Sequence, residues 1–153
     1  MEMLNFGIER KRVFDKIGKN NILALATSNK NYVTVRMVSI IVYRKKLYFQ
    51  TGIDLEKYKQ ICENKNVALC FENIQMEGIA KIIGKPKNNE KIIKLYKKYF
   101  QNSYNTYSTL DKEVLVEIVL EKIKLWEYDK NRKPYQIFLE LKSKKAYKEM
   151  YLE

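Results

Sequence analysis

The stretch YVTVRMVSIIVYRKKLYFQT, residues 32–51, constrains the fold of this chain more than any other. Its first twelve residues are rich in β-branched and apolar side chains on both alternating faces, which is typical of a strand in a packed sheet. The polar run RKK, residues 44–46, turns the chain back into a second strand over 47–51. Because a parallel crossover needs a dozen or more residues, a connection this short predicts an antiparallel hairpin.

The rest of the chain alternates between strand-like and helix-like periodicity. Further strands are predicted at 21–27, 67–71, 74–86, 113–129 and 134–141. Helices are predicted at 6–19, within 52–66 and at 88–100, followed by a polar loop over 101–110 and, from Ser143, a helical tail. We therefore expect one domain, residues 1–153, of mainly β class: an antiparallel β-barrel of about seven strands with two to three helices, in which closure removes the sheet edges. Gly78 is expected to mark a bulge.

The composition excludes several kinds of site. The chain has no histidine, which excludes Ser-His-Asp and Cys-His nucleophilic sites and histidine-ligated zinc or haem. No run of 18 apolar residues predicts a transmembrane helix, and the first residues lack an apolar signal segment, which favours a cytoplasmic protein. Cys62 and Cys70 are expected to be reduced, packed thiols, and they lack the spacing of a metal site.

The net charge of +12 is spread along the chain rather than concentrated in one segment. Lysines are densest over 84–100 and 129–153, where they alternate with apolar residues as on the solvated faces of helices and strands. We interpret most of the excess charge as solvated surface. General attraction of anions and binding of nucleic acid remain alternatives, because net charge alone specifies neither a fold nor a site.

Arg36 interrupts the strand over 32–43, where neither face reads as polar. A buried guanidinium needs an anionic partner or a full set of hydrogen-bond acceptors. One interpretation is an intramolecular pair with a carboxylate such as Glu72 or Glu77. The other is a ligand phosphate, which suits the planar donor array of arginine.

Lys57 is the second cation in an unusual position. If Asp54 caps the following helix, Lys57 is its third residue, where positive charge is disfavoured by the helix dipole. Lysine beside unpaired N–H groups forms an anion site, although an exposed lysine that extends into water is the simpler alternative. Thr51 ends the preceding strand, where its hydroxyl could join Arg36 and Lys57 around one phosphate; a turn threonine is the alternative.

The segments LAT, VRMVSI, LYFQT, EKYKQICENKNVALCF and IIGKPK follow one another between about residues 20 and 86. In order and spacing they resemble the pyridoxamine 5′-phosphate oxidase-like family, the FMN-binding split barrels, with a looser match over the last strands. The resemblance implies a homodimer with FMN in two equivalent clefts at the interface. The residues it implies at FMN are Arg36 and Lys57 at the phosphate, Met37 and Val38 along the flavin with backbone contacts to its ring edge, and Gln50 and Thr51 at the ring and phosphate.

The sequence departs from the family at three of these neighbouring positions. Glu56 stands where many members have a second phosphate-binding arginine or a small residue, Ile41 replaces a lysine near the flavin, and Leu55 replaces a common serine. The oxidases that act on pyridoxamine phosphate carry an arginine–histidine motif near the C-terminus, and this chain has no histidine. The chain therefore resembles the branch of nitroimidazole-resistance (Nim) and general-stress flavoproteins more than it resembles a true pyridoxamine phosphate oxidase.

The function that this resemblance implies is an FMN-dependent oxidoreductase acting on a small compound, such as an aromatic or nitro compound, with NAD(P)H as a candidate reductant. A bound flavin supplies the redox chemistry, so the lack of histidine is compatible with this function. Two alternatives are a flavin-binding protein without catalysis and a basic barrel that binds single-stranded nucleic acid by stacking on YRKKLYF. Nucleic acid is the less favoured partner, because the cations and aromatic residues do not form one stripe.

Overall fold

The computed structural model describes residues 1–152, which form nine β-strands, four α-helices and one 3₁₀ turn. The strands are β1 Glu2–Leu4, β2 Asn20–Asn29, β3 Tyr32–Tyr43, β4 Lys46–Gly52, β5 Asn66–Phe71, β6 Ile74–Ile82, β7 Glu113–Tyr128, β8 Pro134–Glu140 and β9 Lys145–Met150. The helices are α1 Phe6–Ile17, α2 Glu56–Glu63, α3 Glu90–Tyr99 and α4 Gln101–Tyr107, and the 3₁₀ turn is Pro86–Asn88. No helix within residues 1–152 is long and apolar enough to cross a membrane.

Six antiparallel strands close into a barrel in the order β7-β4-β3-β2-β5-β6, with β6 pairing back onto β7. The long strand β7 closes the barrel, because its first half pairs with β4 on one edge and β6 pairs along its other edge. Its second half pairs with β8 on the same edge as β4. Strands β8, β9 and β1 extend the sheet beyond the barrel. The predicted class, a mainly β antiparallel barrel with helices, is confirmed.

The core lies inside the barrel and follows the period-two alternation of its strands. Side chains that are fully buried include Leu23, Ile40, Phe49, Met76 and Ile118. A second, smaller cluster lies under α3 and contains Ile41, Tyr48, Ile92, Tyr96 and Leu115.

The predicted bulge at Gly78 is confirmed, since the register between β6 and β7 shifts there and leaves Glu121 as the extra residue of β7. A Cβ atom at Gly78 would lie 2.6 Å from the carbonyl oxygen of Val119, so this backbone approach requires glycine.

Two predicted segments are wrong. The polar segment 101–110 is not a loop, because most of it forms α4. The tail from Ser143 is not helical, because it forms β9, which fills the gap between β8 and the short β1. Both segments are short and polar, so local pattern alone does not fix their structure; packing against neighbouring elements does.

Two further expectations about side chains are corrected. Cys62 and Cys70 are exposed free thiols rather than packed ones. On β3, the face of Val33, Val35 and Met37 is exposed, with 62–66% of each side chain accessible. The opposite face, which carries Arg36, points into the barrel, so the first half of β3 is not buried on both sides in one chain.

Candidate functional site

A cleft opens where β3 and β4 separate. The two strands pair only from Tyr43 with Lys46 to Ile41 with Tyr48, after which β3 continues along β2 and β4 continues along β7. The space between them is a cleft of about 490 Å³, within the usual size range of small-molecule sites. Its walls and rim come from four parts of the chain. They are Met37, Val38 and Ser39 of β3, Gln50, Thr51 and Gly52 of β4, Leu55 and Lys57 at the start of α2, and Tyr107, Leu110 and Glu113 between the end of α4 and the start of β7.

The hydroxyl of Tyr96 bridges the separated strands at the base of the cleft. It donates a hydrogen bond to the Ser39 carbonyl at 2.5 Å and accepts one from the Gln50 N–H at 3.1 Å. Tyr96 is almost fully buried, and this burial raises its pKa. The sequence predicts that Tyr96 lies on the packed face of α3, but it does not predict that the hydroxyl reaches the cleft. The sequence offers only a general signal, because a buried tyrosine usually needs a partner for its hydroxyl.

Substitution Tyr96→Phe is expected to lower the free energy of unfolding by about 2 kcal/mol, because it leaves a buried carbonyl and a buried N–H without partners. Chemical denaturation of both proteins measures this loss. Tyr99→Phe is the matched control, since the Tyr99 hydroxyl makes no hydrogen bond within residues 1–152 and the same helix carries it. An equal loss in both variants would contradict the bridging role of Tyr96.

The side chain of Gln50 joins the cleft wall to α4. Its Nε2 donates to the Ser103 carbonyl at 3.3 Å, and its Oε1 accepts from the Ser108 hydroxyl at 2.7 Å. These two bonds fix the orientation of the amide and hold α4 over one side of the cleft. The family resemblance implied Gln50 at the site, but the sequence carries no signal of this contact with α4.

Arg36 lies beside the cleft rather than in its lining, with its side chain on the inner face of β3. Nη1 donates to the Thr27 hydroxyl at 2.7 Å and to the Leu25 carbonyl at 3.3 Å, and Nη2 donates to the Thr34 hydroxyl. Burial lowers the pKa of the Arg36 guanidinium, and the nearby Glu56 carboxylate opposes that effect.

The intramolecular ion pair that was one explanation for Arg36 does not form. Glu72 pairs instead with Lys16 at 3.2 Å, and Glu77 is exposed on β6, where it lies opposite Lys122. Within residues 1–152, Arg36 makes no ion pair with any carboxylate. Neutral acceptors hold the guanidinium, and its charge is left without a bonded counter-ion.

Lys57 lines the cleft at the start of α2 and is half-buried. Leu55 is the N-cap of this helix, so Lys57 is its second residue rather than the third, and the expected cap by Asp54 is wrong. Asp54 is drawn away by an ion pair with Lys112 at 3.0 Å. Burial lowers the pKa of Lys57, and repulsion from Arg36 lowers it further, while Glu113 acts in the opposite direction.

Of the six residues predicted at the site, Met37, Val38, Gln50, Thr51 and Lys57 line the cleft and Arg36 flanks it. A family model described as pyridoxamine 5′-phosphate oxidase matches residues 10–127, which is most of the chain. The chain belongs to this family. No curated protein matches the sequence.

Solved structures of this oxidase family and its neighbours share the fold. General Stress Protein 26 from Bacillus anthracis str. Sterne is 21% identical, with a TM-score of 0.62 over 87% of this chain and 99% of that one. A NimC/NimA family protein from Clostridium acetobutylicum is 18% identical, with a TM-score of 0.57 over 95% of both chains. HutZ, the haem storage protein from Vibrio cholerae, is 14% identical, with a TM-score of 0.60 over 77% of this chain and 92% of that one. At these identities the similarity concerns the fold alone.

The three departures from the oxidase family pattern lie in different surroundings. Ile41 is fully buried in the cluster under α3, and the cleft lining does not include it. Leu55 is about half exposed at the cleft rim. Glu56 is exposed at the first position of α2, near enough to Arg36 for its charge to act on the guanidinium.

Glu113 is a cleft residue that sequence analysis did not single out. It is only 5% exposed, and its carboxylate makes no hydrogen bond or ion pair within residues 1–152. Burial raises its pKa; Lys57 and Lys112 oppose the shift, and Asp54 adds to it. A glutamate at the start of a strand gives no local signal of this burial, because the cleft that surrounds it is built from distant segments.

Substitution Glu113→Gln is expected to stabilise the protein at pH 7 by about 1 kcal/mol, because the folded state no longer has to bury a carboxylate. The raised pKa means that the ionised form is less favourable in the folded than in the unfolded protein. The penalty therefore grows as pH rises from the ordinary carboxyl range, near pH 4, through the raised pKa. Thermal melts of both proteins should differ at pH 7 and coincide below pH 4. The exposed Glu121→Gln is the control, and stabilisation at both pH values would contradict this explanation.

Proposed function

We propose that this chain is an FMN-binding flavoprotein whose cleft holds the cofactor with its phosphate at Arg36 and Lys57. The observation that carries the proposal is the pairing of two partly buried cations that repel one another and have no bonded carboxylate. Such a pair stabilises a phosphate through charge-assisted hydrogen bonds. The buried Thr51 lines the same cleft as Lys57 and supplies a further polar group.

The edge of β3 supports the placement of the flavin ring. The Ser39 carbonyl faces the gap between the strands, where it meets Tyr96. In a strand the main-chain groups of residues two apart face the same side, so those of Met37 face the gap as well. They have no β4 partner, because the ladder with β4 ends at Ile41. The flavin edge can therefore bond to the main chain at Met37, with Val38 beside it.

We further propose that the protein is an oxidoreductase that acts on a small compound, such as an aromatic or nitro compound. FMN, when bound, supplies hydride transfer. The chain contributes the walls of the cleft and the charges at its phosphate end. Because it contains no histidine, we do not expect it to oxidise pyridoxamine phosphate in the manner of the family's namesake. The exposed free thiols of Cys62 and Cys70 fit a reducing compartment, which favours the cytoplasm.

We also propose a homodimer with the cofactor at its interface. Val33, Val35 and Met37 form an exposed apolar row on β3 that water would not favour in an isolated chain. Met37 belongs both to this row and to the lining of the cleft. A second copy seated on the row would therefore cover the open side of the cofactor.

The absorption spectrum of the purified protein, before and after incubation with FMN, tests the function. We expect flavin bands, and we expect FMN rather than riboflavin to be released on denaturation. Anaerobic addition of NADPH should then bleach the bands, and an added nitro compound should restore them. Bands that do not bleach would support a flavin-binding protein without catalysis by this reductant. A protein that takes up no FMN, or that carries haem in its place, would contradict the proposal.

A further inference from the structure

We propose that Thr27, Thr34 and Gln60 are positioning residues that fix the Arg36 guanidinium without neutralising it, so that its charge remains available to the anion in the cleft. We call these three residues the neutral clamp. This inference rests on the proposed phosphate site. It assigns a role to side chains that belong neither to the cleft lining nor to the apolar core.

The direction of each hydrogen bond in the neutral clamp follows from chemistry. A guanidinium has only donors, so the hydroxyl oxygens of Thr27 and Thr34 must accept from Arg36. Each hydroxyl then has one proton left to donate, and both point it at Gln60 Oε1, at 2.5 and 2.6 Å. Gln60 Nε2 donates to the Tyr32 carbonyl at 3.2 Å, which sets the orientation of the amide. All these hydrogen bonds therefore run in one direction, from Arg36 through the two hydroxyls and Gln60 to the Tyr32 carbonyl.

The neutral clamp is built from three elements that the fold brings together. Thr27 on β2 and Thr34 on β3 are directly opposite in the ladder, and Arg36 follows Thr34 on the same face of β3. Gln60 lies on the buried face of α2, one turn after Lys57. The clamp therefore links the strand that carries one cation to the helix that carries the other.

The neutral clamp is largely buried and carries no charge of its own. Thr27 is 1% exposed and Gln60 is 5% exposed, so their polar atoms need partners inside the protein. A carboxylate in place of Gln60 would give Arg36 a permanent counter-ion that competes with a phosphate. Two hydroxyls, oriented by the Gln60 amide, hold the guanidinium in one orientation and leave its net charge intact.

The test compares FMN with riboflavin, which lacks the phosphate. Thr34→Val removes one acceptor of Arg36 at nearly constant volume. We expect it to weaken FMN binding about tenfold and to change riboflavin binding by less than about twofold. Thr34→Ser keeps the hydroxyl and should restore FMN affinity to within about twofold of the wild type. Thr106→Val, an exposed threonine on α4, is the control and should leave both affinities unchanged.

A double-mutant cycle with Arg36→Ala separates positioning from mere stability. If the neutral clamp acts through Arg36, Thr34→Val should have no further effect on FMN affinity in the Arg36→Ala background. An undiminished tenfold effect there, or equal losses for FMN and riboflavin, would overturn the inference. Should valine prevent folding, Thr34→Ala serves in the same cycle. If the wild type binds no FMN, the proposed function is wrong. If Arg36→Ala weakens FMN binding but Thr34→Val does not, only the role of the neutral clamp is wrong.

Discussion

Substitution Arg36→Ala is expected to weaken FMN binding about 100-fold while changing riboflavin binding less than threefold. Hydrogen bonds to charged groups each contribute about 1.5–3 kcal/mol, and 1.4 kcal/mol corresponds to a factor of ten in affinity. The guanidinium already has inner N–H groups bonded to Thr27 and Thr34, so its remaining N–H groups are the ones available to the phosphate of the proposed cofactor. Titration monitored by quenching of flavin fluorescence measures both affinities.

Lys57→Ala should act in the same direction, with about a tenfold loss for FMN. Lys59→Ala is the matched control, because Lys59 is an exposed lysine on the same helix. The wild-type affinity for FMN should fall as the salt concentration rises. This salt dependence should be weaker in Arg36→Ala and in Lys57→Ala, because each variant removes a positive charge. Equal losses for FMN and riboflavin would show that the two cations do not bind the phosphate.

Substitution Val35→Glu is expected to raise the dissociation constant of the proposed homodimer about 100-fold or more. The side chain of Val35 points outward from β3 and is 66% exposed, so glutamate is tolerated in a single chain. In a dimer interface the same carboxylate loses water without gaining a partner, at a cost of about 3 kcal/mol. Light scattering coupled to size-exclusion chromatography should report half the wild-type mass.

The same variant should bind FMN more weakly, because Met37 of the same row lines the cleft and a partner chain would cover it. Val119→Glu is the control: Val119 is an exposed strand valine, at 43%, beside the Gly78 bulge on another wall of the barrel. It should leave both mass and affinity unchanged. A wild type of monomeric mass would contradict the proposed dimer, and an unchanged mass for Val35→Glu would place the interface elsewhere.

The barrel strands were predictable because a period of two is visible in the sequence itself. The strand predicted over 32–43 is β3 with the same bounds, and the hairpin turn at Arg44 and Lys45 follows the RKK segment. The bulge was predictable from a lone glycine inside a strand pattern. The family was predictable because the spacing of several segments within residues 20–86 is specific.

The start of α2 shows where local rules failed. Asp54 is a good N-cap residue by type, yet Leu55 occupies the cap because Lys112 holds the Asp54 carboxylate. Lys112 is distant from Asp54 in the sequence and lies just before β7. A capping preference is worth only about 1 kcal/mol, the same order as a surface ion pair, so the residue type alone does not decide where the helix begins. The burial of Glu113 and the partners of the Tyr96 hydroxyl were not predictable either, because segments distant in the sequence create both.

The sequence by itself determined that this chain forms an antiparallel barrel and that Arg36 needs acceptors, because alternation and the cost of burying a charge are local properties. Only the tertiary structure decided which acceptors Arg36 has. The carboxylates of Glu72 and Glu77 lie elsewhere, and the hydroxyls of Thr27 and Thr34 face the guanidinium. The register of β2 against β3 and the packing of α2 bring these acceptors to Arg36. Both result from packing of the whole barrel rather than from any one segment.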